Sequence, residues 1–235
     1  MDFLKLDYNQ FIPHIQNINL ADGNIFLVDK PYKVTSFEVV NKLKIALRKT
    51  YPEKIKVGHA GTLDPLATGL LIICTGKKTK TIEQVQSMEK EYTGTILLGA
   101  TTPCFDLERE VDRVYPTKHI TEELIFEITK KFLGKQMQEP PVFSAVKVEG
   151  KRAYDMARSG VEEIKVRSKE IEIKEFEITR MALPEIDFRV VSSKGTYIRS
   201  IARDFGVALG SGAHLTALRR IRTGEFHVKD AIAAG

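Results

Sequence analysis

The chain has no tryptophan, only two cysteines and no long apolar run. Each absence removes a class of protein. Cys74 and Cys104 form neither a CxxC nor a CxxH spacing, so a disulfide framework, a zinc site and a redox pair are set aside in favour of two reduced thiols. The longest apolar stretch, LLIIC, falls far short of a membrane span. The N-terminus, MDFLKLDYNQFIPHIQ, carries acids early and lacks the continuous apolar region of a secretory signal, so the expected compartment is the cytoplasm. No internal repeat or low-complexity tract is present. Charge of one sign does not dominate either: Lys plus Arg outnumber Asp plus Glu by 36 to 31. That excess permits a polyanionic partner without requiring one. At 235 residues and 43% hydrophobic, the chain suits a soluble globular protein of one large domain or slightly more.

Local patterns supply the elements. NIFLVDKP reads as a short strand ending at Pro31. A helix then starts from Thr35, whose hydroxyl can cap while Glu38 reaches back, with Phe37, Val40, Leu43 and Leu47 on one face. KIKVGH, LLIICTG and EYTGTILLG read as strands. Thr121 starts another helix, with Ile120 and Ile125 as a hydrophobic staple, Leu124, Ile128 and Phe132 as the stripe and Gly134 as the stop. EIEIKEFEITR alternates at Ile171 and Ile173, then at Phe176 and Ile178, a slip in parity that predicts a bulge. EIDFRVVSS alternates again, and GTYIRSIARDFGVALG is read as a strand turning into a helix that carries Ile198, Ile201, Phe205 and Leu209. Strands outnumber helices without interleaving regularly, which predicts an α+β fold with a mixed, largely antiparallel central sheet flanked by helices and loops.

Four stretches carry polar chemistry. In VGHAGTLDPLATGLLIICTG, the residues Gly58, Gly61, Pro65 and Gly69 fix an irregular loop that presents His59, Thr62 and Asp64. The glycine spacing fits neither a P-loop nor a dinucleotide fingerprint, and a lone carboxylate is too few for ordinary glycosidase chemistry. Spacing alone leaves open an Asx-type turn at Asp64-Pro65 or a carboxylate held against a substrate. In SSKGTYIRSIARDFG, Lys194, Tyr197 and Arg199 lie near a strand end, either as solvated edge residues or as partners of an acid, for which Asp64 is the natural choice. In PPVFSAVKVEGKRAYDMARSG, Lys147, Lys151, Arg152 and Arg158 alternate with Phe143 and Tyr154, a mixture that suits either a charged helix face or RNA. GAHLTALRRIRTGEF reads as a basic helix end bearing Arg219, Arg220 and Arg222.

In order, DKPYKVTSFEVV, GHAGTLDPLATGLL, KEYTGTILLGATT, PPVFSAVKVEGKRAYDMARSG, SKGTYIRSIARDFG and GAHLTALRR resemble the successive blocks of the TruB-type tRNA pseudouridine synthases. The resemblance runs from about Asn24 to Phe226, and GTLDPLATG within that order is its most specific part. It implies a pseudouridine-synthase-like fold that needs no cofactor or metal and isomerises the uridine at position 55 in the T loop of tRNA. The N1–C1′ bond breaks, the uracil turns, and a C5–C1′ bond forms on a flipped-out nucleotide.

The same resemblance implies the roles. Asp64 matches the essential aspartate, as covalent nucleophile or as an aid to uracil departure, with Arg199 beside it. Tyr92 matches the aromatic that stacks on the flipped base and is a candidate acceptor of the C5 proton. His59 matches the histidine that occupies the vacated space, and Tyr197 and Leu218 match residues contacting the base. Lys30 and Pro31 belong to the first motif and are expected to support the active-site loop. Asp106 is matched as a substrate-side residue, while Cys104 and Arg109 stand where relatives often have Thr and Gly. Lys147, Arg152, Arg158, Arg219 and Arg220 are expected to meet RNA.

The implied organisation is an N-terminal extension, residues 1–23, and a catalytic domain, residues 24–235, with the RNA-gripping segment within about residues 110–165. The sequence ends about nine residues after Phe226, where many relatives continue into a PUA domain, so none is expected here. A monomer acting on the T arm of tRNA, with no membrane or protein partner, is the implied state. The alternatives are a non-catalytic tRNA-binding or tRNA-folding protein on the same scaffold, and a relative acting on another RNA within a guide complex. The joint presence of Asp64, Tyr92 and Arg199 speaks against the first, the missing appended domain against the second.

Overall fold

The computed structural model of the chain describes residues 7–16, 18–142, 147–148, 151–152 and 167–233. It forms two compact units, Met1–Tyr92 with Leu218–Gly235, and Thr93–Ala217. Two strands, Lys90–Leu98 and Ala213–Thr223, carry the chain between them.

In the first unit, β1 (Ile25–Lys30) lies antiparallel to β3 (Thr68–Thr75), and β3 runs parallel to Ala213–Thr223 at Thr68 and Gly69. Val57–His59, β2, pairs with the far end of β3. Period-2 alternation splits β3 between two cores. Leu71 and Ile73 join Val39, Val40, Leu43, Ala46 and Leu47 of helix α1 (Ser36–Thr50), whereas Leu70, Ile72 and Cys74 join Ala60 and Val85. Each fully buried side chain of this kind contributes about 1.5–3 kcal/mol. Thr35 and Glu38 form the capping box reciprocally, so α1 begins where its sequence says.

Phe37 departs from its expected place and is 69% exposed. The buried arc of α1 is centred on Leu43, and at 3.6 residues per turn Phe37 lies about 120° round from it. Ser36 falls inside that arc and is buried instead. Phe11 and Ile15, from the N-terminal stretch to which no motif was assigned, are both fully buried in the core that α1 covers.

In the second unit, Ala213–Thr223, Lys90–Leu98, Glu185–Ser192, Lys169–Ala182 and Gly134–Gln138 lie side by side. The last three are antiparallel neighbours, and register shifts at Ile173/Glu175 and Ile178/Arg180 mark bulges. Helix α2 (Glu122–Lys131) buries Ile125, Ile128 and Thr129, leaving Leu124 only half-buried. Its end comes at Phe132, and Gly134 opens the next strand. Phe132, Phe176, Phe188 and Phe205 pack edge to face or tilted, with centroids 5.5–6.1 Å apart. Phe205 belongs to α3 (Ile198–Ala208), so this aromatic cluster seats the helix that carries Arg199. The mixed, mostly antiparallel architecture agrees with the reading from sequence. Among the described residues no helix is long and apolar enough to cross a membrane.

Candidate active site

Asp64 is half-buried on the loop between β2 and β3, and its carbonyl accepts from the Ala67 N–H at 3.1 Å. Around it, buried side chains hold the backbone. Ser36 Oγ donates to the Leu63 carbonyl and accepts from the Leu63 N–H, both at 2.9 Å. Lys30 is fully buried, and its Nζ donates to the carbonyls of Pro31 (2.9 Å), Val34 (2.6 Å) and Pro65 (3.1 Å). Arg220 donates through Nε to Leu70 O at 2.7 Å and through Nη2 to Gly61 O at 3.1 Å, with Nη1 3.5 Å from Thr62 O. Gly61, Thr62, Leu63 and Pro65 are therefore each tied through their backbone to a buried side chain. The backbone on both sides of Asp64 is therefore held in place by buried side chains.

Gly69 is required where β3 leaves this loop. Its φ is +98°, and a Cβ there would stand 2.3 Å from the Arg220 carbonyl oxygen. Only glycine lets the two strands approach this closely.

Burial pushes the Lys30 ammonium down to about 8, and the nearby Asp64 charge works the other way. His59, half-buried at the end of β2, is also held below its ordinary value, by burial first and then by the charge of Arg220. Neutral imidazole is thus its state at neutral pH. Tyr92 is 9% exposed on its strand, and Leu218 is half-buried.

In the second unit, Arg199 is 4% exposed. Its Nη1 donates to Cys104 O at 3.2 Å, and its Nε lies 3.7 Å from Asp106 Oδ2. Asp106 also accepts from the Glu108 N–H at 3.0 Å. At 6% exposure, Asp106 stands against Arg199. The Cys104 departure is accommodated because its carbonyl, which any residue supplies, is what Arg199 uses. Tyr197 caps α3 in place of the expected continuing strand, since its neighbouring strand ends at Ser192. Gln138 fixes it by accepting from the Tyr197 N–H at 2.8 Å and donating to its carbonyl at 3.0 Å. Lys169 Nζ lies 4.5 Å from its ring centroid.

Two further readings change. The stretch bearing Arg219 and Arg220 is a strand and not a helix end, because neighbouring strands override the helix preference of Ala, Leu and Arg. Arg220, expected to meet RNA, is 2% exposed with its donors on protein carbonyls. Arg219 forms a bidentate pair with Asp29 at 2.6 and 3.0 Å. Lys30 is likewise buried, with its ammonium on three protein carbonyls. Lys147 and Arg152 lie on a two-stranded ladder, Lys147–Val148 with Lys151–Arg152, and Arg158 is outside the described residues. Ser36 and Gln138 had no signal in the sequence, because nothing local distinguishes a serine or glutamine that bonds a segment far along the chain.

Residues 48–198 match the TruB family pseudouridylate synthase N-terminal domain, and residues 199–234 match the tRNA pseudouridylate synthase B C-terminal domain. A tRNA pseudouridine synthase B of Flavobacterium johnsoniae is 60% identical over 213 residues, covering 90% of this chain and 93% of that protein. One from Phocaeicola vulgatus is 57% identical, covering 92% of each. Among solved structures, a chain of a Cbf5–Nop10–Gar1 complex superposes with a TM-score of 0.68 at 30% identity. That match covers 91% of this chain and 53% of the other.

Proposed function

The chain belongs to the TruB family of pseudouridylate synthases, and from that premise we propose that Asp64, Tyr92 and Arg199 carry its chemistry. The protein isomerises uridine to pseudouridine in tRNA, and its uridine is the one in the T loop. No atom enters or leaves in that reaction, so it asks for no net oxidant or reductant.

The single observation that carries the assignment is the loop in which Gly61, Thr62, Leu63 and Pro65 are bonded to buried side chains around an ionisable Asp64. A turn that served only to reverse the chain would not need three buried polar residues beneath it. Glycosidic cleavage needs an anion held beside C1′ as the N1–C1′ bond opens, and preorganisation makes such a charge effective. Asp64 supplies it, whether by forming a covalent bond or by stabilising the separated sugar. The uracil leaves with the bond's electron pair, turns and returns through C5, any Asp64–C1′ bond breaking as the C5–C1′ bond forms. C5 then loses its proton, with Tyr92 as the proposed acceptor, and N1 takes one up, so the product is an isomer. Arg199 supplies the cation of the site. Neutral His59 fills the space of the flipped nucleotide without adding charge, and Tyr197 and Leu218 line the base. Lys147, Arg152 and Arg158, within the segment of residues 110–165, are proposed to grip the T arm, with Arg219 at its margin. The proposal includes a cytoplasmic monomer.

The test is chemical mapping of pseudouridine in an unmodified tRNA transcript, with Asp64→Asn in parallel. A single new signal at the T-loop uridine, absent with the variant while tRNA affinity is kept, is the expected result. Binding without modification by the wild-type protein would point to a tRNA-binding scaffold instead.

A further inference from the structure

Arg220 lies inside the first unit with 2% of its surface exposed, and its three nitrogens reach two segments of chain. One is the arm entering the Asp64 loop, at Gly61 O and Thr62 O, and the other is the strand leaving it, at Leu70 O. Its own backbone is in register with Gly69. We propose that Arg220 is a positioning residue for the reaction, clamping both arms of the Asp64 loop so that the carboxylate is delivered at a fixed place. The inference rests on Asp64 being the catalytic acid.

The chemistry explains why arginine serves here. A guanidinium is a rigid planar fork with five donors, so one side chain spans carbonyls on two segments and fixes their separation. A lysine keeps the charge but is a single point with no fork. Gly61, at φ +113°, hands its carbonyl to Arg220 through a conformation that other residues rarely adopt.

Single-turnover kinetics on unmodified tRNA with Arg220→Lys, alongside tRNA affinity and melting temperature, tests this. The expected result is a folded variant whose rate constant falls about 100-fold, the scale set by roughly 1 Å of misplacement, with affinity within about twofold of wild type. A wild-type rate with a lowered melting temperature would make Arg220 a stabiliser only and overturn the proposal. An unchanged rate with weakened, salt-sensitive binding would overturn it in favour of a phosphate contact. Should Arg220→Lys not fold, Gly61→Ala disturbs the same carbonyl with the arginine intact and is judged by the same rate criterion. Asp64→Asn separates the two ideas. An inactive Asp64→Asn beside a fully active Arg220→Lys sinks the clamp alone, whereas an active Asp64→Asn sinks the reading of Asp64 and the clamp with it.

Discussion

Ser36 and Leu63 hold each other through two hydrogen bonds of 2.9 Å, the serine hydroxyl donating to the leucine carbonyl and accepting from its N–H. The pair fastens the residue before Asp64 to the first turn of a helix whose start is set by its own capping box. Rigidity thus passes from a helix terminus to a loop that has no regular structure of its own.

Removing that hydroxyl should be felt in both stability and rate. Ser36→Ala leaves a buried N–H and a buried carbonyl without their partner, a loss of roughly 1–3 kcal/mol. Denaturant unfolding should report that loss, and single-turnover kinetics should slow without a matching change in tRNA affinity. Unchanged stability would mean that the two backbone groups find other partners easily.

Asp106 and Arg199 make a second test, in the other unit. Asp106→Asn keeps the shape and the acceptor for the Glu108 N–H but removes the charge 3.7 Å from the guanidinium. The expected loss is roughly 1–3 kcal/mol, below that of a fully isolated buried charge, because the Cys104 carbonyl still accepts from Arg199. Turnover should fall as well. A variant with wild-type kinetics and melting temperature would show that Asp106 does not hold Arg199.

The depressed pKa of His59 makes a prediction about pH. In the unfolded chain the imidazole titrates near 6.5, and in the folded protein lower. Below about 6.5 the unfolded state binds the proton that the folded state refuses, so the contribution of His59 is complete above that pH and is lost as pH falls through the folded value. Comparing unfolding free energies of wild type and His59→Gln from pH 8 to pH 5 should show the wild-type advantage shrinking on acidification. An advantage that grows toward pH 5 would reverse the sign and place a carboxylate against the ring.

The sequence by itself determined whatever depends on neighbours a few residues away. Thr35 and Glu38 cap a helix because the two side chains lie within one turn, and the alternation around Ile171, Ile173, Phe176 and Ile178 foretold a bulge because side-chain direction in a strand follows residue parity. Asp64 was marked only by resemblance to a family motif, since its local spacing fits a turn equally well. Tertiary structure alone decided what the surrounding residues do. Arg220 reads as a surface cation in a basic run until a strand 150 residues earlier supplies the Leu70 carbonyl that takes its Nε. Asp106 gains its neighbour Arg199 only when α3 packs beside it, and Phe37 reads as core until its angle round the helix turns it to water. In each case burial and partner are set by contacts between distant segments. Local pattern carries the elements, but which charge ends up inside, and against which carbonyl, is decided only when those segments pack.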